Sequence, residues 1–306
     1  MGLTGIWGAG TTAADADGVA RPCLVYREGV GWDLLYAGWT GGVWRVCRAA
    51  TAAAEPRGFA PVGSPLELGP AGSGEDLGVR SPCATPTSDG GLLVVYAGLG
   101  ARSDGGEPAW SLFSAWVPRD AETAGLPLTG ERPILTWQRL GPVLTPGEPG
   151  TADAAGCDHP TLARLGPSRW LWYTADDGLG GGGRIAAASS VAGGPWQRHG
   201  VVLGRGAPGQ PDERGAEAPS VVVHRRGGTW PGRARALEQV EMVYTGRSAM
   251  GTRVLRARSP DGVGFDRLGP VVGPGAGDAS LAAGPDGRAW LVAVVDGQIL
   301  AGPTAM

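Results

Sequence analysis

The stretch Trp170-Leu171-Trp172-Tyr173-Thr174-Ala175 is one copy of an apolar strand that recurs along the chain. The other copies are DLLYAG (33–38), LLVVYAG (92–98), VEMVYTG (240–246) and the fainter WLVAVV (290–295). Each copy follows a turn and a first short strand, which is preceded by a lead-in that ends in Pro or Ser. The five lead-ins are Arg21-Pro22, Arg80-Ser81-Pro82, Asp158-His159-Pro160, Glu217-Ala218-Pro219 and Asp278-Ala279-Ser280. Such repetition predicts a repeat architecture.

A third and a fourth strand complete the unit. The fourth strands are close copies of one another in three units: WQRLGPVL (137–144), WQRHGVVL (196–203) and FDRLGPVV (265–272). We therefore predict an all-β fold, a five-bladed β-propeller with four antiparallel strands in each blade. Residues 1–306 are predicted to form a single domain, with blades at about 18–63, 76–144, 153–203, 214–272 and 275–302.

The fifth unit ends after its third strand, so its fourth strand must come from elsewhere in the chain. The segment LTGIWGA (3–9) is apolar and otherwise unassigned. We expect this N-terminal strand to close the ring and Trp7 to pack on blade five.

Composition narrows the class of function. A net charge of −3 provides no basic field, which argues against a nucleic-acid partner. All 26 cationic residues are Arg, so chemistry that needs a lysine is excluded. The apolar runs are too short for a membrane helix, and Met1 to Gly10 carry no secretory signal pattern. We expect a cytoplasmic monomer with no membrane partner, no cofactor and no metal, and with its four cysteines as free, buried thiols.

In a propeller the innermost strands begin on one face, so the lead-ins converge around the central channel. The residues two positions before the Pro or Ser are Ala20, Arg80, Asp158, Glu217 and Asp278. We expect three carboxylates and one guanidinium to surround one small cavity. Crowded carboxylates in a narrow channel acquire different pKa values, as acid–base catalysis requires.

Two of these segments resemble a known family. Gly215-Ala216-Glu217-Ala218-Pro219 resembles the Glu-Gly-Pro segment of glycoside hydrolase family 43 and its five-bladed relatives, and Cys157-Asp158-His159-Pro160 resembles their third-blade Asp-Pro segment. The run Ala257 to Gly262 ahead of Phe265 also resembles a strand motif of those proteins. The resemblance implies that Glu217 is the general acid and that Asp158 tunes it and positions the sugar.

The sequence departs from this family at the first blade. The family places its catalytic base, an Asp, directly before the proline of blade one, where this chain has Arg21. We expect Asp17 or Asp278 to substitute as the second catalytic carboxylate, unless the scaffold serves another reaction.

Further candidates lie in the lead-ins and in the loops of the same face. We predict substrate contacts for Arg21, Arg80, His159, Trp39, Trp110, Asp177 and Arg247. For Arg21 and Arg80, an internal ion pair with the ring of acids is an equally valid reading. Either tryptophan could stack on a sugar ring or belong to the core, and His159 could bond only to neighbouring backbone.

Three functions are consistent with the sequence. The first is a glycoside-hydrolase-like enzyme that acts on a glycosidic or carbohydrate-like small substrate by carboxylate acid–base catalysis. The second is a non-hydrolytic biosynthetic enzyme, such as an acid-catalysed cyclase, isomerase or lyase. The third is a sugar-binding propeller without catalysis.

Overall fold

The computed structural model describes residues 2–102, 105–118, 137–191, 193–226 and 237–304. Its strands form five four-stranded antiparallel sheets arranged in a ring, which confirms the prediction of an all-β five-bladed propeller. A single-turn 3₁₀ helix, Ala13–Asp15, precedes the first blade. No helix within the described ranges is long and apolar enough to cross a membrane. The strands are β1 (Thr4–Gly8), β2 (Gly18–Arg27), β3 (Gly31–Thr40), β4 (Val43–Thr51), β5 (Ala60–Leu66), β6 (Gly78–Pro86), β7 (Leu92–Gly100), β8 (Ala109–Val117), β9 (Gln138–Leu144), β10 (Gly156–Leu165), β11 (Ser168–Asp176), β12 (Arg184–Val191), β13 (Gln197–Leu203), β14 (Gly215–Arg226), β15 (Leu237–Ser248), β16 (Gly251–Ser259), β17 (Asp266–Val272), β18 (Ala276–Ala283), β19 (Ala289–Val295) and β20 (Gln298–Thr304).

The N-terminal strand closes the ring, as predicted. Blades one to four are β2 to β5, β6 to β9, β10 to β13 and β14 to β17, and blade five has the order β18-β19-β20-β1. Strand β1 pairs antiparallel with β20 along its length. Trp7 is buried in a cluster that includes Tyr36 of blade one and Val292 of blade five. Its indole Nε1 donates to Asp15 at 3.1 Å, so the closing strand also ties blade five to blade one.

Every innermost strand carries a β-bulge at its lead-in. Pairing with the second strand is interrupted between Ala20 and Cys23 in blade one and at the corresponding place in the other four. In each bulge one residue that is not glycine adopts a positive φ: Arg21 (55°), Ser81 (54°), His159 (49°), Ala218 (51°) and Asp278 (49°). This backbone is costly for such residues, so surrounding contacts must stabilise it.

The bulges correct the predicted alignment of blade five. Asp278 was aligned with Asp158 and Glu217, but it occupies the bulge position of Arg21 and His159, one residue later. Gly277 stands at the position of Glu217 instead. The error arose because blade five has no proline: Ala279 takes the proline position, and Ser280 lies one place beyond it.

In each blade, the residue that follows the proline of the lead-in, or Ala279 in blade five, joins its blade to the next. Its side chain accepts a hydrogen bond from a backbone N–H of the following innermost strand. The five bonds run from Ala84 N to Cys23 Sγ (3.3 Å), Leu162 N to Cys83 Sγ (3.4 Å), Val221 N to Thr161 Oγ1 (3.3 Å), Leu281 N to Ser220 Oγ (2.9 Å) and Leu24 N to Ser280 Oγ (3.4 Å). Together they form a closed belt around the channel, and we call this set of five bonds the belt.

Four tyrosines occupy one position on the second strand of blades one to four. Each is buried, and its hydroxyl donates to a buried carboxylate ahead of the first strand. The pairs are Tyr36–Asp15 (2.8 Å), Tyr96–Glu75 (2.6 Å), Tyr173–Asp153 (2.8 Å) and Tyr244–Asp212 (2.9 Å). In blades two to four an Arg of the outermost strand, Arg139, Arg198 or Arg267, binds the same carboxylate. The tyrosines therefore fix the segment that leads into each blade, in addition to filling its core.

Deleting residues 1–10 tests the closure. We expect the deletion to lower the melting temperature sharply, because it exposes the edge of β20 and removes the indole from the buried Asp15. The Trp7→Phe variant is the matched control, since it retains strand pairing and loses only the N–H donor; we expect it to cost about 1–3 kcal/mol. Thermal and urea unfolding of the three proteins provide the comparison. An unchanged melting curve after the deletion contradicts the closure.

Candidate functional site

A cavity of about 450 Å³ opens where the innermost strands begin. Its walls come from the bulges of blades one to four, from the end of β11 and from the end of β15. The loop that follows β11, residues 178–183, also lines it, and we call this segment the glycine-rich loop. The polar and aromatic side chains that line it are Arg21, Arg80, Trp110, Asp158, His159, Thr174, Asp176, Glu217 and Arg247. Its volume lies within the range of small-molecule sites.

Glu217 lies on the wall of this cavity, with its side chain 17% exposed. Its Oε1 accepts a hydrogen bond from Gly183 N at 3.0 Å, and its Oε2 lies 3.4 Å from Nη1 of the exposed Arg247. The bulge after Glu217 is held because Thr174 Oγ1 accepts from Ala218 N at 2.9 Å. The carboxyl group is thus fixed at one oxygen by backbone and bordered at the other by a side chain with room to move.

Gly183 leaves the space that Glu217 occupies. A Cβ at this position would lie 2.6 Å from Glu217 Cγ and 2.7 Å from Thr174 Cγ2. The glycine-rich loop therefore packs against the carboxylate and supplies its backbone donor. The run of glycines between positions 178 and 183 is visible in the sequence, but no motif connects it with Glu217.

Asp158 is a fixed anion. Its Oδ2 accepts from Arg80 Nε at 3.0 Å and Nη2 at 2.5 Å, and its Oδ1 accepts from Ser81 Oγ and from His159 N, both at 2.7 Å. Burial alone would raise the pKa of Asp158, but His159, Arg80, Arg21 and the Ser81 hydroxyl outweigh burial and hold that pKa far below its ordinary value. Asp158 therefore organises its neighbours and does not exchange a proton.

His159 forms part of the floor of the cavity and is 9% exposed. Its Nδ1 lies 3.3 Å from Asp158 Oδ2, yet neither ring nitrogen makes a hydrogen bond. Burial and the nearby Arg21 lower the pKa of His159 to about 3, against the opposing effect of Asp158. The imidazole is therefore neutral at physiological pH, and both of its ring nitrogens are buried.

Arg21 and Asp278 join blade one to blade five. Arg21 Nη1 donates to Asp278 Oδ1, and Asp278 N donates to Thr245 Oγ1 at 2.8 Å. Burial alone would lower the pKa of Arg21, but Asp278, Asp158 and Glu217 raise it overall, so the guanidinium stays charged. The blade-one position that the resemblance assigns to a base holds this cation.

Trp110 contributes one ring to the cavity, and the Arg80 guanidinium lies 3.7 Å from the centre of that ring. One aromatic face is thus covered by a cation that Asp158 holds in place.

Four predicted site residues do not line the cavity: Asp17, Trp39, Asp177 and Asp278. Asp17 accepts from Gly41 N at 2.9 Å in a turn. Trp39 packs against its cross-strand partner Trp44, with ring centres 4.8 Å apart and ring planes tilted by 48°. Asp177 binds Arg184 at 2.5 Å, and its neighbour Asp176 lines the cavity instead.

Asp278 borders a smaller cavity of about 110 Å³ in the channel below, which Arg21 and His159 share. In the part of the chain that the structure describes, no group of three or more His, Cys, Asp or Glu side chains has the geometry to hold a metal ion.

Comparison of structures supports the fold. By sequence, the chain matches no protein-family model and no curated protein. By structure, it is similar to an α-L-arabinofuranosidase from Lactobacillus brevis, with a TM-score of 0.63, 14% identity and coverage of 94% of this chain and 90% of that one. It is also similar to a family 117 glycoside hydrolase from Zobellia galactanivorans (TM-score 0.66, 13% identity, 99% and 89% coverage). A third similar structure is fructan 1-exohydrolase IIa from Cichorium intybus (TM-score 0.64, 14% identity, 98% and 57% coverage). The resemblance predicted from the sequence is confirmed at the level of the fold.

The low pKa of His159 predicts a specific loss of stability in acid. Between the ordinary pKa of 6.5 and the folded value of about 3, the unfolded chain binds a proton at this residue and the folded chain does not. Stability therefore falls as pH decreases through this window, by at most about 1.4 kcal/mol per pH unit. The depressed pKa of Asp158 acts only below its ordinary value of 3.8. His159→Gln should flatten the dependence of the unfolding free energy between pH 7 and 5 in urea titrations; parallel curves for the two proteins contradict the assignment.

Gly183→Ala tests the packing of the glycine-rich loop on Glu217. We expect a loss of about 1–3 kcal/mol in unfolding free energy, because the new methyl group overlaps Glu217 and Thr174. Gly264→Ala is the matched control, since a Cβ there meets nothing within 4 Å. In a Glu217→Ala background the cost of Gly183→Ala should shrink, and an equal cost in both backgrounds contradicts the contact.

Proposed function

We propose that this protein is a glycosidase-like enzyme that acts on a carbohydrate-like small molecule in the 450 Å³ cavity, with Glu217 as the proton donor. The observation that carries the proposal is the setting of Glu217. Its carboxyl group is partly desolvated, is oriented by Gly183 N, and faces the cavity next to an exposed arginine. Similar folds in a family 117 glycoside hydrolase and an arabinofuranosidase support this choice of chemistry.

In the proposed reaction Glu217 gives a proton to the oxygen of the leaving group as the bond between that oxygen and the sugar carbon breaks. A water molecule then adds to the sugar carbon and gives one proton back to the Glu217 carboxylate. Gly183 N holds the carboxyl group in one orientation through the step. Asp158 keeps the Arg80 guanidinium in place over Trp110.

The charges of the site support an uncharged, hydroxyl-rich substrate. Each guanidinium of the cavity has its own carboxylate partner: Arg21 with Asp278, Arg80 with Asp158 and Arg247 with Glu217. These pairs leave little free charge to bind an ionic substrate.

A second candidate is a non-hydrolytic reaction of a biosynthetic enzyme, which needs a proton donor and no second carboxylate. Hydrolysis by the usual two-carboxylate routes needs an ionised partner roughly 5–10 Å from the acid, as nucleophile or as the base for water. The Arg21–Asp278 pair favours the second candidate, because it places a cation at the blade-one position and ties up the nearby carboxylate. The predicted cytoplasmic location and monomeric state stay predictions.

A panel of aryl glycosides tests the proposal with wild type, Glu217→Gln and Glu67→Gln. Glu67 is an exposed carboxylate paired with Arg45, so its variant controls for the change of charge. We expect wild-type turnover, a loss of about 100-fold or more in kcat with Glu217→Gln, and no loss with Glu67→Gln. Binding of sugars by calorimetry without turnover supports a binding protein instead. Absence of both binding and turnover across the panel contradicts the glycosidase proposal and leaves the second candidate.

A further inference from the structure

Two of the five acceptors in the belt are thiols. Blades three to five use Thr161, Ser220 and Ser280, whose hydroxyl groups fulfil the same bonding role. Blades one and two use Cys23 and Cys83 at the equivalent positions. Because a hydroxyl suffices for the belt, the presence of sulfur at two neighbouring positions calls for a separate explanation.

The two thiols occupy successive positions of the belt, on either side of the boundary between blades one and two. Cys23 Sγ lies 3.3 Å from the backbone nitrogen of Ala84, the residue that follows Cys83. The neighbouring Cys83 thiol raises the pKa of Cys23, and burial adds to the rise. The Cys23 thiol lowers the pKa of Cys83, and the N–H of Leu162 and the Thr161 hydroxyl act in the same direction, against the effect of burial.

Both side chains are part of the channel surface. They line the 110 Å³ cavity below the candidate site. Cys23 is buried, whereas Cys83 is partly exposed. The other two cysteines are buried beside oxygen atoms: Cys47 near Ser64 Oγ (3.5 Å) and Cys157 near Thr145 O (3.7 Å).

We propose that Cys23 and Cys83 form an oxidisable dithiol, a modification site at which a low-molecular-weight disulfide produces a covalent cross-link between blades one and two. This proposal is independent of the proposed function.

The reaction is a thiol–disulfide exchange in two steps. The Cys83 thiolate attacks one sulfur of the reagent, the reagent S–S bond breaks, and its other half leaves as a thiolate that takes up the proton lost by Cys83. Cys23 then loses its proton and attacks Cys83 Sγ, and the second half of the reagent leaves as a thiol. In total two protein thiols are oxidised to one disulfide, and one reagent disulfide is reduced to two thiols.

A cross-link between Cys23 and Cys83 also acts on the bulge residues at the floor of the candidate site. Cys23 and Cys83 each lie two residues after a positive-φ bulge residue, Arg21 and Ser81. Arg21 binds Asp278, and Ser81 Oγ donates to Asp158. A covalent bond between the two strands therefore constrains the residues that bind Asp278 and Asp158.

Incubation of the native protein with hydroxyethyl disulfide tests the proposal. After unfolding in acid, alkylation and peptide mapping, we expect a Cys23–Cys83 cross-linked peptide with the mass of two hydrogens lost, while Cys47 and Cys157 are alkylated. We also expect the melting temperature to rise by several degrees, because the cross-link restricts the unfolded chain, and to return after reduction.

The variants Cys23→Ser and Cys83→Ser are matched controls, because serine fills the same belt position in blades four and five. Cys23→Ser should accumulate a mixed disulfide at Cys83, and Cys83→Ser should leave Cys23 largely unmodified. Two findings overturn the proposal: a stable mixed disulfide at Cys83 of the wild type without the cross-link, or four alkylated cysteines after exposure that fully oxidises a reference dithiol.

Discussion

The belt is the constraint on which the rest of the structure depends. An innermost strand has a neighbour on one side only, so backbone N–H groups on its other edge face the crowded centre of the ring. A buried N–H without a partner costs about 1–3 kcal/mol. Here each blade satisfies such a group in the next blade with one short side chain, and the series closes where Ser280 accepts from Leu24 N. The same five bonds set the distance between blades and therefore the width of the channel.

The belt also explains how the bulges persist. A residue such as His159 or Arg21 with a positive φ is strained unless its surroundings determine it. The belt fixes the strand directly below the bulge, and the tyrosine–carboxylate bonds, such as Tyr173 to Asp153, fix the segment that leads into it. Held from both sides, the bulge directs two successive side chains toward the cavity and the channel. The candidate site residues therefore cluster at the irregular position that every blade shares.

The repeat made the fold and much of the site predictable. Periodic strands revealed the blades, and the register of the prolines placed Arg80, Asp158 and Glu217 at one cavity. The predictions that failed have local causes. Asp17 lies in a turn and binds a nearby backbone N–H there, as short polar side chains commonly do. Trp39 is part of a cross-strand pair, which a closer reading of its hairpin could have found.

Other features lay beyond sequence reasoning because their spacing varies. The carboxylates that bind the tyrosines precede them by 20, 21 or 32 residues, so they cannot be identified from a sequence motif of one fixed spacing. The contact of Gly183 with Glu217 joins two blades and depends on the absence of a side chain. Blade five was misaligned by one residue because it lacks the proline that marks the bulge in the other blades.

The ion pair of Arg21 and Asp278 shows how the alignment of the blades determines which charged side chains meet. Both residues occupy the bulge position, Arg21 in blade one and Asp278 in the adjacent blade five. The carboxylate expected in blade one is therefore found in blade five, where it forms an ion pair with the Arg21 guanidinium across the boundary between the two blades. A buried carboxylate bound to a guanidinium is stabilised as an anion and is a poor base and nucleophile, because its lone pairs are engaged. Asp158 is engaged in the same way by Arg80. Glu217 has only a longer contact, 3.4 Å, to an arginine that is more than half exposed. The arrangement thus leaves Glu217 less tightly held than Asp158 and Asp278, each of which joins two adjacent blades.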